Sequence, residues 1–342
     1  MYDAPARLLL DSAALTDNWR ALARMSGAAA CGAAVKADGY GLGARDVVAR
    51  LAAAGCRDFF VATWGEAAAL GDVLPDHTSL SVLHGVRAGD MDAALRARGR
   101  PVLSTAAQVA RWRATGRACD VMVDTGMNRL GVSPEEVAAG LLDGLAIETL
   151  MSHLACADED SAMNARQHAR FAALSGRTGA KRMSLANSAG IALGYAFDLT
   201  RPGLALYGGV PCAGLAGVVR PVACIEAEVL QRRQVRAGET VGYNATWRAA
   251  SDTWVGVVNL GYADGYFRGF SDRGQACAGD RMLPVIGRVS MDLVALDLGD
   301  ADVGEGDRVR FDTDLPRASA ASGMSQYELL TGSGRRLERR WR

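Results

Sequence analysis

The chain has 342 residues, 49% of them hydrophobic, and its 38 acidic and 38 basic side chains balance to zero formal charge. That length suggests about two domains and the apolar share supports a core without disulfides. The charge balance argues against a nucleic-acid footprint or a membrane-surface protein. Seven cysteines stand singly with no C-x-x-C pair, the pattern of reduced thiols in a cytosolic protein.

At the N-terminus, "MYDAPARLLLDSAALTDNWR" carries an acid at Asp3 and no long apolar run, so it does not read as a signal peptide. No window approaches the roughly 18 apolar residues of a membrane span, and a cytoplasmic protein is expected. "RLLLD" precedes a helical pattern, "SAALTDNWRALARM", that Ser12 could cap. "AACGAAVK" precedes a helix from about Ala44 to Ala54, and "DFFVAT" precedes one from Gly65. "TSLSVLHG" comes before "DMDAALRARG", which Asp90 could cap and Gly99 could stop. "PVLST" precedes "AAQVARWRATG". "ACDVMVDTG" precedes "SPEEVAAGLL", which has a capping serine, proline at N1 and glutamate at N3. "ETLMSHLA" precedes "DSAMNARQHARFAAL"; "KRMSLANSAG" and "GLALYGG" complete the series.

Strand-like runs alternating with helices over the first two thirds of the chain predict a parallel sheet. Their count and regularity favour a (β/α)8 TIM-type barrel over an open doubly wound sheet. The G-x-G-x-x-G of a dinucleotide fold is absent after the first strand. Past Pro221 the texture changes to alternating segments punctuated by Gly, Pro and Asp, such as "ACIEAEVLQRRQV" and "DTWVGVVNLGY". This predicts a barrel over residues 1–217 and a mainly β domain over 218–342. The tail "RRLERRWR" reads as a solvated terminus.

Within the barrel, Lys36 ends a strand of small apolar residues and is followed by a turn-forming "ADGYGLG". Barrel enzymes carry their active sites at that end of their strands. A partly desolvated lysine there can act as a base or form an imine with a carbonyl. Other strand ends supply Asp124 and Arg129 in "VDTGMNRLG", His153 in "MSHLA", Asn187 and Ser188 in "LANSAG", and Arg201, Gly203 and Leu204 in "TRPGLALYG". Each alone has a bland explanation: a helix cap for Ser188, a satisfied imidazole for His153, a surface ion pair for Arg201. Together they line one barrel mouth with an amine, two guanidiniums, an imidazole and a phosphate cradle. A phosphorylated aldehyde cofactor, pyridoxal 5′-phosphate (PLP), would use all of them.

The same motifs carry a resemblance. "AVKADGYGLG", "VDTGMNRLG", "SHLACADE", "NSAG", "RPGLALYG", "VGYNATW", "LGYADGYFR" and "GRVSMDL" match those of the alanine racemases in order and at similar spacing, across both domains. The resemblance implies PLP-dependent interconversion of L- and D-alanine, serving peptidoglycan synthesis. It implies that Lys36 holds the cofactor, and that Tyr40, Ser188, Gly203, Leu204 and Tyr327 surround its phosphate. Arg201 would face the pyridine nitrogen, supported by His153, and Arg129 would lie near the cofactor's phenolic oxygen and the substrate carboxylate. Tyr243 would be the second base; Tyr262, Met291 and Asp292 would line the substrate site and Arg268 its entrance. These β-domain residues would come from the partner subunit, making a head-to-tail homodimer with composite sites. No metal is implied.

Four positions depart from the family pattern. Met122 stands where family members commonly carry a modified lysine that orients the arginine, and methionine cannot replace it chemically. Asn128 stands where glycine is usual, with its side-chain amide as one compensation; Leu42 replaces a histidine, and the C-terminal motif lacks its proline. Met122 and the pocket residues keep open a racemase acting on serine or a broader range of amino acids. A PLP-binding protein without catalysis has one domain, and the β domain with Tyr243 argues against it.

Overall fold

The computed structural model describes residues 3–311 and 314–342. It divides into two compact units, residues 15–220 and residues 1–14 with 221–342.

The first unit is the expected parallel barrel. Seven strands pair in chain order: Ala33–Ala34, Asp58–Val61, Ser79–Val82, Arg100–Leu103, Cys119–Met122, Ile147–Met151 and Arg182–Ser184. The eighth, Leu199–Thr200, pairs in parallel with Ala30–Cys31. On its other side the Arg201 N–H donates to Ala186 O (2.8 Å), which closes the ring. Small residues let the first strand enter a crowded interior: a Cβ on Gly32 would lie 2.7 Å from Asp58 O and 2.8 Å from the Phe60 ring. Ala33 and Val35 are fully buried, as are Phe59, Val121 and Leu150 on neighbouring strands.

The local signals act largely as the sequence suggests. Ser133, Pro134 and Glu136 form a complete capping box for Pro134–Ala138. The helix Ala44–Ala54 has the expected bounds. Two caps differ. Ala14 N–H donates to Asp11 Oδ1 (2.8 Å), so an aspartate one residue before Ser12 caps the first helix. Asp90 turns back onto Arg87, accepting from its amide and guanidinium, and makes no cap bond to Met91–Arg96.

Two strand expectations are corrected. "GLALYGG" contains a 3-10 helix, Leu204–Tyr207, and the eighth strand lies just before it. "RLLLD" is not a barrel strand: Ala6–Leu10 pairs antiparallel with Ala223–Val235 and parallel with Glu338–Trp341. A five-residue apolar run looks alike in either sheet, and only its partners decide where it goes.

The second unit is the expected β structure, described by itself. Its eight-stranded sheet runs Thr253–Val258, Val294–Gly299, Arg281–Ile286, Gln275–Ala278, Arg308–Phe311, Ala223–Val235, Ala6–Leu10, Glu338–Trp341. The long strand Ala223–Val235 also pairs with Thr253–Val258, so six strands close on themselves and leave no open edge between them. Val235, Ala249, Val255 and Ile286 form one core cluster, with Val241, Trp247 and Ala295 packed against it. Among the described residues no helix is long and apolar enough to cross a membrane.

Candidate active site

Lys36 follows the first barrel strand directly, and what comes after it is unusual. Ala37, Asp38, Gly39 and Tyr40 all have positive φ, between 53° and 64°. Gly39 N–H donates to Val35 O (2.9 Å) and Gly41 N–H to Ala37 O (2.8 Å), so the chain makes a turn of left-handed helix. Each non-glycine residue in that conformation costs about 1–2 kcal/mol, and three of these four are not glycine.

Specific bonds hold the turn. Ala37 N–H donates to Glu66 Oε1 (2.8 Å) and Ala44 N–H to Asp38 Oδ1 (2.8 Å). Tyr40 stacks on Tyr207, with ring centroids 4.7 Å apart. Tyr207 is fully buried and its hydroxyl donates to Ala34 O (2.8 Å), anchoring the stack to the strand that delivers Lys36.

The Lys36 amine is half-buried. Burial, with the positive charges of Arg129 and Arg201, holds it below the ordinary lysine range, while the Glu66 carboxylate opposes them. His153 feels the same environment: burial first, then Arg201, Arg129 and Lys36, push its imidazole down to about 3. It is neutral at physiological pH.

Arg201 is only 7% exposed, and burial pushes its guanidinium down to about 10, still cationic at neutral pH. It donates to Ser184 O (2.8 Å), to Ser152 O (2.5 Å) and to the Ser184 hydroxyl. Among the described residues no carboxylate lies within ion-pair distance of it. A cation fixed this way by carbonyls keeps its charge available to something else.

Ser188 begins the helix Ser188–Ala192, capped by Asn187, whose side-chain oxygen accepts from Gly190 N–H (2.9 Å). The Ser188 hydroxyl accepts from Gly203 N–H (3.1 Å) and Ala205 N–H (3.2 Å). Leu204 is buried at the start of its 3-10 helix. A Cβ on Gly203 would overlap the Tyr40 hydroxyl, so Tyr40, Ser188 and Gly203 converge on one small space. An amine, a buried uncompensated cation and a tight cradle with a tyrosine hydroxyl suit a phosphorylated aromatic aldehyde.

Arg129 is exposed, in a loop organised by Asp124. Burial raises the Asp124 carboxyl, but the amides of Gly126, Asn128, Arg129 and Met127 outweigh it and hold the group below its usual range. Asn128 has φ +55°, a left-handed position that glycine and asparagine tolerate best. The backbone therefore accounts for asparagine there without any compensating side-chain bond. Met122 is half-buried, in register with Met151, and Leu42 is fully buried.

The remaining expected residues belong to the β unit. Tyr243 follows Gly242 (φ +78°) and precedes Asn244 and Ala245, both at positive φ; this bent segment leaves the tyrosine 66% exposed. Arg268 stacks over the Tyr262 ring at 5.2 Å. Tyr262 N–H donates to Ser290 O (3.0 Å) and Ala263 N–H to Met291 O (3.1 Å), which brings Tyr262, Met291 and Asp292 onto adjoining loops. Tyr327 is 44% exposed on the helix Gln326–Thr331.

Sequence reasoning missed two residues that tie loops, Arg336 in the β unit and Glu66 in the barrel. Arg336 grips Asp264 with Nε (2.8 Å) and a terminal nitrogen (3.0 Å) and reaches Asp292 Oδ1 (2.7 Å). Glu66 was visible only as the end of "TWGE", a capping-box spelling that it fulfils. Its reach to Ala37 spans 29 positions, beyond any local pattern.

Comparison with known proteins agrees with this picture. The family model "Alanine racemase, N-terminal domain" matches residues 10–211, and "Alanine racemase, C-terminal domain" matches residues 222–341. An alanine racemase of Acidiphilium cryptum is 44% identical over 352 aligned residues, covering 97% of each chain. The crystal structure of alanine racemase from Bartonella henselae with covalently bound pyridoxal phosphate superposes with a TM-score of 0.93 at 31% identity, over 99% of this chain and 100% of that one. A biosynthetic alanine racemase from Pseudomonas aeruginosa gives 0.91 at 32% identity, over 99% and 100%.

Proposed function

The chain belongs to the alanine racemase family, a family of isomerases, and on that premise we propose that it interconverts L- and D-alanine with PLP, using Lys36 and Tyr243 as its two proton carriers. The observation that carries this reading is Lys36 itself: an amine at a barrel strand end, depressed by burial and by two guanidiniums. Lys36 would hold the cofactor's aldehyde carbon, Arg201 its ring nitrogen, and Tyr40, Ser188, Gly203, Leu204 and Tyr327 its phosphate, with Asn187 and His153 supporting. When bound, PLP supplies an electron sink for the pair left on the α-carbon.

The protein's own part is to position the amino acid and move the proton. Inversion requires a carrier on each face of the α-carbon: Lys36 takes or returns the proton on one face and Tyr243 on the other. A lysine with a lowered proton affinity spends more time as a free base at neutral pH. Arg201 cannot give up a proton at that pH, so it donates hydrogen bonds only and does not add to the sink. Arg129 would take the substrate carboxylate, with Tyr262, Met291 and Asp292 beside it and Arg268 at the entrance. With one base from each of two subunits, the working form would be a homodimer. A role in supplying D-alanine for peptidoglycan, in the cytoplasm, follows from the same reading.

Met122, in place of the lysine expected beside Arg129, favours one second reading: a racemase for serine or a broader set of amino acids. One experiment separates the two. The visible spectrum is recorded with PLP before and after Lys36→Ala, and D-alanine formed from L-alanine is assayed. An imine band and D-alanine in the wild type, both lost in the variant, are expected. A band with no turnover of L-alanine moves the substrate to serine or larger amino acids, and no band at all overturns the assignment.

A further inference from the structure

The left-handed turn after Lys36 is strained, and one side chain outside it bears on its first residue. Glu66 is half-buried at the third position of the helix Trp64–Leu70. Its Oε1 accepts from Ala37 N–H (2.8 Å), and its Oε2 accepts from Ala62 N–H (2.7 Å) and Thr63 N–H (3.4 Å). Both oxygens are thus used, one on its own helix start and one on the turn. Ala37 is exposed and left-handed, with no packing of its own to hold it there.

We propose that Glu66 is a positioning residue for Lys36: its carboxylate clamps the left-handed turn to the start of the neighbouring helix, so that the strand end presents the lysine amine to the barrel mouth. The inference deepens the proposed function and rests on it only for the purpose of that presentation. The charged and titratable groups facing the amine are Arg129 and His153 from the loops after two strands, Arg201 after the eighth, and Glu66. Glu66 is the one that both touches the turn and opposes the cations.

The chain contains two lysines, Lys36 and Lys181, which makes the test direct. Lys181 is 70% exposed and pairs with Glu148, so it serves as an internal reference. The full-length protein, freed of any bound aldehyde, is labelled with trace acetic anhydride from pH 6 to 10, and the two lysine peptides are quantified by mass spectrometry. Wild-type Lys36 is expected to titrate below the ordinary lysine range. In Glu66→Ala its labelling ratio and midpoint should both change, the midpoint moving further down as the opposing negative charge is lost. The PLP concentration needed for half-loading should rise roughly tenfold, about one lost hydrogen bond to a charged group.

Two further variants keep the test decisive if Glu66→Ala folds poorly. Glu66→Gln keeps one acceptor oxygen and can serve the cap or the turn but not both, so it should lose less of the loading, while the Lys36 midpoint moves as in Glu66→Ala because the charge is lost in both. Adding Ala37→Gly to either variant removes the Cβ penalty of the left-handed turn and should restore part of the loading. A folded Glu66 variant with the wild-type labelling ratio and midpoint would overturn the inference. If the wild type takes up no PLP, the proposed function fails, and the labelling profile still decides the role of Glu66.

Discussion

Gly203 has a negative φ, and its requirement for glycine is one of space: a Cβ there would overlap the Tyr40 hydroxyl. Tyr40 cannot swing away freely, because it is stacked on Tyr207, whose hydroxyl is bonded to Ala34 O. Gly203→Ala is therefore expected to displace the tyrosine hydroxyl from the cradle and weaken PLP uptake roughly tenfold or more. Absorbance titration measures this, and unchanged uptake would remove Gly203 and Tyr40 from the phosphate site. Asn128 teaches the opposite lesson at the same scale. Its left-handed φ is a demand of the backbone, so a residue other than glycine still fits.

Among elements, the N-terminal ends of the barrel strands hold a polar network far in character from the site. Asp58 opens its strand and receives two bonds from Arg182 (2.7 and 3.2 Å) and one from Ser79 (2.7 Å). Removing one partner of a buried pair leaves an uncompensated charge; because Arg182 is 30% exposed, Asp58→Ala should cost roughly 2–3 kcal/mol rather than the full 3–5. Urea unfolding followed by barrel tryptophan fluorescence reads it. Burial alone would raise the Asp58 carboxyl, but Arg182 and Ser79 outweigh it and hold the group below its ordinary value. As pH falls below about 4, the unfolded chain takes up this proton before the folded one. The contribution is thus complete above that pH and lost on further acidification, and Asp58→Asn should flatten the acid limb of the stability profile. A midpoint equal to wild type at neutral pH would show the pair to be energetically idle.

For the whole molecule, the proposed composite site makes a prediction that no single-chain property can. If Lys36 and Tyr243 act from different subunits, a Lys36→Ala chain and a Tyr243→Phe chain are each inactive. Their heterodimer still contains one site with both native residues. Random pairing makes half of the dimers mixed, each with one of two sites intact, so co-expression should recover roughly a quarter of wild-type activity. Recovery of none would place both bases in one subunit or remove Tyr243 from the reaction.

What the sequence determined by itself was whatever short-range chemistry controls. The lysine at a strand end, the capping box at Ser133, the change of texture past Pro221 and the order of the family motifs are all local spellings, and a local spelling survives without knowledge of its neighbours. The barrel followed from repetition of such spellings. Tertiary structure alone decided the rest. It sent Ala6–Leu10 to the β sheet, because an apolar run carries no mark of which strands will pair with it. It turned "ADGY" left-handed, because the penalty for that conformation is offset by a carboxylate 29 positions away and by a buried tyrosine stack. It joined Arg336 to Asp264 and Asp292 across 72 and 44 positions. Hydrogen bonds and ring contacts of that span depend on the path of the whole chain, and no periodicity within a segment encodes them.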